Sequence, residues 1–431
     1  MKRALVATFC ASCVMLVWSL TRSTPRERAI PEEVPSAPAF SLTLPVEPAE
    51  GLTKLSAATR TSGLPAAPVS SGPPAMMHLD AHHTNRSPFK APRSPKLAWT
   101  LDLGAPMVVA PVVADGGVIV ATLRGKIASV SPTGTTRWSL SVGDRIYGSP
   151  LVHNGTVFIG VDTPPKPAKQ GRLLLLNATT GAVKSKLEID GDVDTAIAPL
   201  ADNAGIVFSA GRTLVAARHD GTVMWRYKAR RKISGAAAIS IDGSIVAGSQ
   251  DDSIFCVSKT GDLVWQTMLG SDVDAAPAIG DDGTIFVGTD AGELVALRHK
   301  DGSILWRKQL GGFIRGPLSI ARDGTVLAST YGPVPAVVAL SPNDGSELWR
   351  FNIRGTGAKE FGIHGAPLED ATGALVFGAQ DDHLYALDPD GRLLWKQLVG
   401  GDVDATVILS EDARLYAASD DGKLYAFDDQ Q

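Results

Sequence analysis

Cysteine is nearly absent from this chain: three in 431 residues, two of which, Cys10 and Cys13, lie within the first twenty. Beyond them stands only Cys256, so a disulfide framework is excluded for the rest of the chain. Cys256 replaces Ala296, Ala339, Ala386 and Ala426 of aligned repeats, which reads as a small buried residue and not a nucleophile. An excess of one charge is also missing. With 41 Lys and Arg against 45 Asp and Glu the net charge is −4, which argues against nucleic acid or anionic lipid as partner. No long amphipathic helical pattern appears, and no Ser/His/Asp cluster, phosphate-binding glycine loop or closely spaced metal signature supplies chemistry. Gly (44) and Pro (28) are abundant instead, as many short strands and turns require.

The N-terminus carries Lys2 and Arg3 before an apolar to weakly polar run, Ala4 to Leu20, ended by Thr21-Arg22. Residues 1–21 read as a secretory signal or an uncleaved membrane anchor, and lipidation at Cys13 is a third reading. Residues 22–76 are rich in Pro, Ala and Ser without periodicity, which predicts a disordered tether. Together these place the remainder, 77–431, outside the cytoplasm, in the periplasm or cell envelope, with membrane contact only through the N-terminal segment.

From Leu97 onward one phrase recurs about every forty residues: Gly, three residues, Trp. It runs Gly134 to Trp138, Gly221 to Trp225, Gly261 to Trp265, Gly302 to Trp306, Gly345 to Trp349 and Gly391 to Trp395. Gly181 to Ser185 keeps the spacing without the Trp, Trp99 precedes the series, and the copy at Gly422 stops before its own Trp. Between Trp265 and Trp306, Asp281-Asp-Gly, Thr289-Asp-Ala-Gly and Lys300-Asp-Gly are turns separating short β-rich runs. Four strands per repeat are the blade of a β-propeller. The expected fold is all-β with eight blades, the segment around Trp99 supplying the outer strand that the last copy lacks. Each Trp is expected to wedge between adjacent blades.

The phrase Asp382-His-Leu-Tyr-Ala-Leu-Asp-Pro-Asp-Gly-Arg-Leu-Leu-Trp395, with the lead-in His78 to Pro88, resembles the repeat of the PQQ-binding-like, quinoprotein-type β-propellers. The resemblance covers about Met77 to Asp428. It implies the fold firmly and function weakly, because the family includes PQQ-dependent alcohol dehydrogenases, the lipoprotein of outer-membrane barrel assembly, and non-catalytic binders. It also implies that His78, His82 and His83 pack against the propeller and do not bind a metal. PQQ and calcium are the cofactors that the enzymatic members would imply. Those members carry adjacent cysteines and long inserted loops, and this chain has neither, so no cofactor and no enzymatic activity are expected.

Irregularities in the repeat point to a face. The spacing from Trp to the Pro of the innermost strand is twelve residues at Trp99, Trp138 and Trp265, but Trp349 reaches Pro367 through residues 354–364. Residues 162–170 and 331–335 lengthen two links between second and third strands. In a four-stranded meander all three insertions fall on one face. Nine residues after each Trp position stand Val108, Tyr147, Asp194, Ser234, Asp274, Arg315 and Asp404, with His364 in the longer blade. Two residues earlier come Arg145, Asp192, Lys232, Asp272 and Asp402, pointing the same way in an extended strand. These residues form a candidate ligand site at the channel mouth, with three carboxylate pairs and interleaved cations. Cation binding and simple capping of turn N–H groups both remain open for the Asp pairs. The expected function is an exported, monomeric binding or scaffolding module for a protein or polysaccharide of the cell envelope. A barrel-assembly platform and a PQQ/calcium dehydrogenase are the alternatives.

Overall fold

The computed structural model describes residues 75–430 apart from 115, 163–169 and 359–360, together with Thr59–Arg60. The segments expected to export and tether the chain, residues 1–76, lie outside the described residues except for Thr59–Arg60 and Ala75–Met76.

Eight antiparallel four-stranded sheets succeed one another along the chain and stand in a ring, an eight-bladed propeller. In the fifth blade the strands Ala278–Ile279, Ile285–Gly288, Glu293–Leu297 and Ile304–Gln309 follow one another outward from the axis. The inner three strands are buried along most of their length and are built of Val, Ile, Leu, Phe and Ala. The outer strand keeps its exposed side chains toward solvent, as a sheet edge does. The innermost strands are only two or three residues long, and small residues lead into them because the blades converge there. A Cβ at Gly235, for example, would stand 2.6 Å from the Ala275 carbonyl oxygen of the next blade. The eighth blade takes Ile408–Leu409, Leu415–Ala418 and Lys423–Asp429 from the C-terminus, and its outer strand, Pro95–Asp102, from the N-terminal side. The first blade gains a short fifth strand, since Thr59 and Arg60 pair with Ser139 and Trp138.

The recurring Gly and Trp prove to be two halves of one joint. Each Trp from Trp99 to Trp349 lies over the Gly of the following repeat, so that a Cβ on Gly302 would stand 2.4 Å from the Trp265 ring. Gly302 also turns the chain at φ +67°, where any side chain is strained. The indole N–H completes the joint by donating to a carbonyl of the same neighbouring turn. Trp99 bonds Pro132 at 2.8 Å, Trp138 bonds Ala178 at 2.8 Å, Trp265 bonds His299 at 2.7 Å, and Trp395 bonds Pro92 at 2.9 Å. Each indole therefore buries apolar surface between blades without stranding its donor. Where Ser185 replaces Trp, Gly221 meets nothing closer than the Leu175 side chain at 3.8 Å.

The stretch from Ala75 to Ala91 crosses the ring at the C-terminal ends of the innermost strands. Its carbonyls take N–H groups from blade after blade: Ala75 from Val152, Ala81 from Ile239, His82 from Ile279, Thr84 from Ile320, and Asn85 from Glu369. The equivalent residue of the third blade is Pro199, which has no N–H to offer. His78 and His83 are buried in this stretch with ring centroids 4.2 Å apart, and His83 Nδ1 bonds the Pro277 carbonyl at 2.8 Å. Burial lowers both pKa values, that of His83 to about 4, so the rings stay neutral as packing elements. His78 and His83 thus pack against the ring, as the resemblance implied, while the half-buried His82 meets it through its backbone carbonyl.

Candidate functional site

A backbone clasp repeats in every blade and assembles the opposite end of the channel. A residue where the second strand passes into its link to the third donates its N–H to the carbonyl of the chain entering the innermost strand. The pairs are Leu123 to Pro106, Asp162 to Arg145, Gly211 to Asp192, Gln250 to Lys232, Asp290 to Asp272, Tyr331 to Phe313, Gln380 to Gly362 and Asp420 to Asp402. Two rings of residues therefore meet at one mouth, one from the lead-ins and one from the links, where Gly211 brings no side chain.

The lead-in ring holds the residues singled out from sequence. Lys232 is hydrogen-bonded to Asp194, and Asp274 accepts from Gln250 Nε2 at 3.1 Å. Arg315 grips Asp290 with Nε at 2.8 Å from both carboxylate oxygens, while its guanidinium lies 4.7 Å from the Phe313 ring centre. Tyr331, from the 331–335 insertion, stacks on His364 at 4.4 Å and 16°. Arg145 Nη1 stands 3.5 Å from the Tyr147 hydroxyl. The insertions 331–335 and 354–364 lie against each other, Gly332 donating to the Phe361 carbonyl at 2.9 Å. Residues 163–169 and 359–360 of the insertions lie outside the described residues.

Charge is balanced on one side of the mouth and not on the other. Burial opposes the charge on Lys232, but Asp194 more than offsets it and its pKa rises. Burial raises Asp194 in turn, with Lys232 holding it down. Asp272 is pushed up to about 6 by burial and by Asp274 and Asp290, and Asp162 to about 7 by burial and by Asp194 and Asp192. At the eighth blade no such cation intervenes. Asp404, 4% exposed, makes no hydrogen bond of ordinary geometry with either carboxylate oxygen, and Gln380 is the one side chain that favours its charge. Burial pushes Asp404 up to about 6. It pushes Asp402 up to about 7 with help from Asp404, Asp382 and Asp420, and Asp420 to about 7 with help from Asp404 and Asp421. Lys423 is near, but it is held by Asp421 at 2.9 Å.

Capping of turn N–H groups recurs elsewhere in the blades. Asp220, Asp282 and Asp301 accept N–H groups within the outer hairpin turns, two residues ahead of themselves. Among the described residues no three carboxylate, His or Cys groups converge as metal ligands would. The sequence reading missed the link ring, namely Gln250, Asp290, Tyr331, Gln380 and Asp420. Its signal was available, because each follows a small residue at or just beyond the end of the second strand, as in Ser249-Gln250, Thr289-Asp290 and Ser419-Asp420.

Comparison with known proteins adds the relatives. The family model described as outer membrane protein assembly factor BamB matches residues 123–253, 250–334 and 335–431. This chain belongs to that family. No functionally curated protein is recognisably similar to it in sequence. Among solved structures, BamB from Moraxella catarrhalis is similar with a TM-score of 0.63 at 19% identity, over 77% of this chain and 99% of that one. A europium-containing methanol dehydrogenase gives 0.66 at 12% identity, over 82% and 97%. The quinohemoprotein alcohol dehydrogenase from Comamonas testosteroni gives 0.66 at 13%, over 84% and 81%. At such identities the likeness to BamB and to the dehydrogenases speaks for the shared propeller alone.

Proposed function

We propose that this propeller is an exported, non-catalytic binding module of the cell envelope that holds a protein partner at its channel mouth, as a barrel-assembly platform would. The observation that carries this reading is the uncompensated carboxylate sector of the eighth blade. Asp402, Asp404 and Asp420 are buried enough to resist ionisation yet lack a cation of their own. A Lys or Arg side chain from a partner supplies the missing charge and displaces the shared protons. His364, backed by the buried Tyr331 ring, and Phe361 on the neighbouring lip offer ring surface beside it, the usual anchor material of protein interfaces. Membership of the BamB family supports a protein rather than a polysaccharide as partner, and supports the envelope as location.

The test is co-purification from detergent-solubilised envelope, comparing the native chain with the Asp402→Asn/Asp404→Asn/Asp420→Asn variant. Recovery of the outer-membrane assembly barrel with the native chain, and its loss with the variant, is the expected result. Equal recovery with both would remove the carboxylate sector from the argument, and no recovery with either would remove this partner.

PQQ-dependent dehydrogenation is the enzymatic reading that the fold allows, and the side chains at the mouth suit that cofactor poorly. PQQ is a planar tricarboxylate and needs free cations. Lys232 and Arg315 are already engaged with Asp194 and Asp290, and the unpaired carboxylates of Asp404 would repel it. Dye-linked alcohol oxidation after incubation with PQQ and calcium would overturn this view if turnover appeared.

A further inference from the structure

The stretch Arg226-Tyr-Lys-Ala-Arg-Arg-Lys232 holds five cations and no acid, in a chain whose net charge is −4. It runs along the outer strand of the third blade, Val223–Lys228, and on to the channel mouth at Lys232. Trp225 and Tyr227 face the fourth blade, where the Trp225 indole donates to the Lys259 carbonyl at 2.9 Å and Tyr227 lies 5.0 Å from the Phe255 ring. Arg226 and Lys228 alternate with them and face the second blade instead. There, with Arg212, they line a groove of about 530 Å³ beside Glu188 and Asp190, at the end of the second blade's outer strand.

Elsewhere a cation in the position after the Trp is neutralised by an acid of its own blade. Lys186 is held by Glu188 at 3.1 Å, Arg307 by Glu293 at 2.8 Å, Arg350 by Glu347 at 2.7 Å, and Lys396 by Asp381 at 3.2 Å. Arg226 occupies this position in the third blade, and Thr213 stands where Glu293 stands in the fifth. Thr213 pairs with Lys228 and Val215 with Arg226, as Glu293 pairs with Gln309 and Val295 with Arg307. Arg212 in turn replaces Asp252 and Asp382, since the carbonyls of all three accept the N–H that follows the outer strand, from Ala229, Leu269 and Val399. Arg212, Arg226, Lys228, Arg230 and Arg231 are all exposed, and none takes part in an ion pair among the described residues. Of the two acids at the groove, Glu188 is engaged by Lys186, which leaves Asp190 against three cations.

Strand geometry sets Arg226 and Lys228 about 7 Å apart on one face, the spacing of alternate side chains in an extended peptide. Carboxylates carried at that spacing meet both cations at once, with the Arg212 guanidinium able to grip one of them through two N–H groups. We propose that the groove between the second and third blades binds an acidic, extended segment of a protein, with Asp or Glu at alternate residues. Arg230 and Arg231 carry the same charge on toward the mouth, so a protein seated there reaches both this groove and the carboxylates of the eighth blade. That the acidic segment belongs to a protein rests on the function proposed above.

Fluorescence polarisation on the full chain tests this, with a labelled peptide alternating Glu with Thr and a control alternating Gln with Thr. The acidic peptide should bind, the control should not, and binding should weaken as salt is raised. Arg226→Gln/Lys228→Gln should lower the affinity about tenfold. Thr213→Glu, which gives Arg226 the partner that Arg307 has in Glu293, should lower it as well with every cation still in place. The Asp402→Asn/Asp404→Asn/Asp420→Asn chain should bind the peptide as the native chain does. Failure of the acidic peptide to bind, or equal binding by the Arg226/Lys228 variant, would overturn the proposal. So would capture of inorganic polyphosphate or of phosphatidylglycerol vesicles without capture of the peptide, which would make phosphate the ligand. Peptide binding by a native chain that recovers no envelope partner would uphold the groove while the platform reading fails.

Discussion

Replacing Asp404 by Asn should stabilise this protein, but only above mildly acidic pH. Burial pushes the Asp404 carboxyl from its ordinary 3.8 up to about 6 in the folded chain. An acid whose folded pKa is raised binds its proton more tightly in the fold than in the unfolded chain, so stability falls as pH rises between the two values. Below pH 4 the wild type carries no penalty. Between pH 4 and 6 the penalty grows, and above about 6 it is complete at about 3 kcal/mol. Asparagine has nearly the same shape and stays neutral, and the Gln380 amide beside it can pair with it. The unfolding entropy of a propeller of this size is about 0.7 kcal/mol/K, so the variant should melt about 4 °C higher at pH 8 and no differently at pH 4. Differential scanning calorimetry across pH 4–8 reads this directly. A difference independent of pH, or a variant less stable at pH 8, would refute the claim that Asp404 is a buried carboxyl without a counter-charge.

The other side of the mouth should behave oppositely. Lys232→Met leaves Asp194 buried without its cation and should cost about 3 kcal/mol in chemical denaturation at pH 8, while adding Asp194→Asn should restore most of that loss. The Trp joints predict a contrast between two glycines of positive φ. Gly302→Ala meets the Trp265 ring and should cost more than about 2 kcal/mol, whereas Gly221→Ala makes only ordinary contact with Leu175 and should cost only the strain of about 1 kcal/mol. A cationic partner bound at Asp402, Asp404 and Asp420 should release protons on binding near pH 6.5 and bind more tightly as pH rises toward 8. Calorimetry in buffers of different ionisation enthalpy measures that release, and a pH-independent affinity would place the partner elsewhere.

The propeller was legible because its cause is local and repeated. Gly at a turn of positive φ and Trp three residues beyond the next position are short-range requirements, and each copy restates them. The lead-in pairs Asp192/Asp194, Asp272/Asp274 and Asp402/Asp404 were legible for the same reason. In the sequence, however, the three pairs look alike. Only the ring separates them, because it sets Lys232 beside Asp194 and the Arg315–Asp290 pair beside Asp274, and gives Asp404 no cation. Those neighbours come from different blades and different strand positions, and no spacing along the chain encodes them.

By itself, then, the sequence determined the all-β repeat, the number of blades and the face on which its irregularities gather, since these follow from turn geometry and strand period. Tertiary structure alone decided which carboxylates are neutralised and which inner-strand N–H groups the 75–91 stretch reaches. Desolvation and counter-charge depend on what the closing of the ring brings within a few ångströms, and residues distant in the chain meet only there.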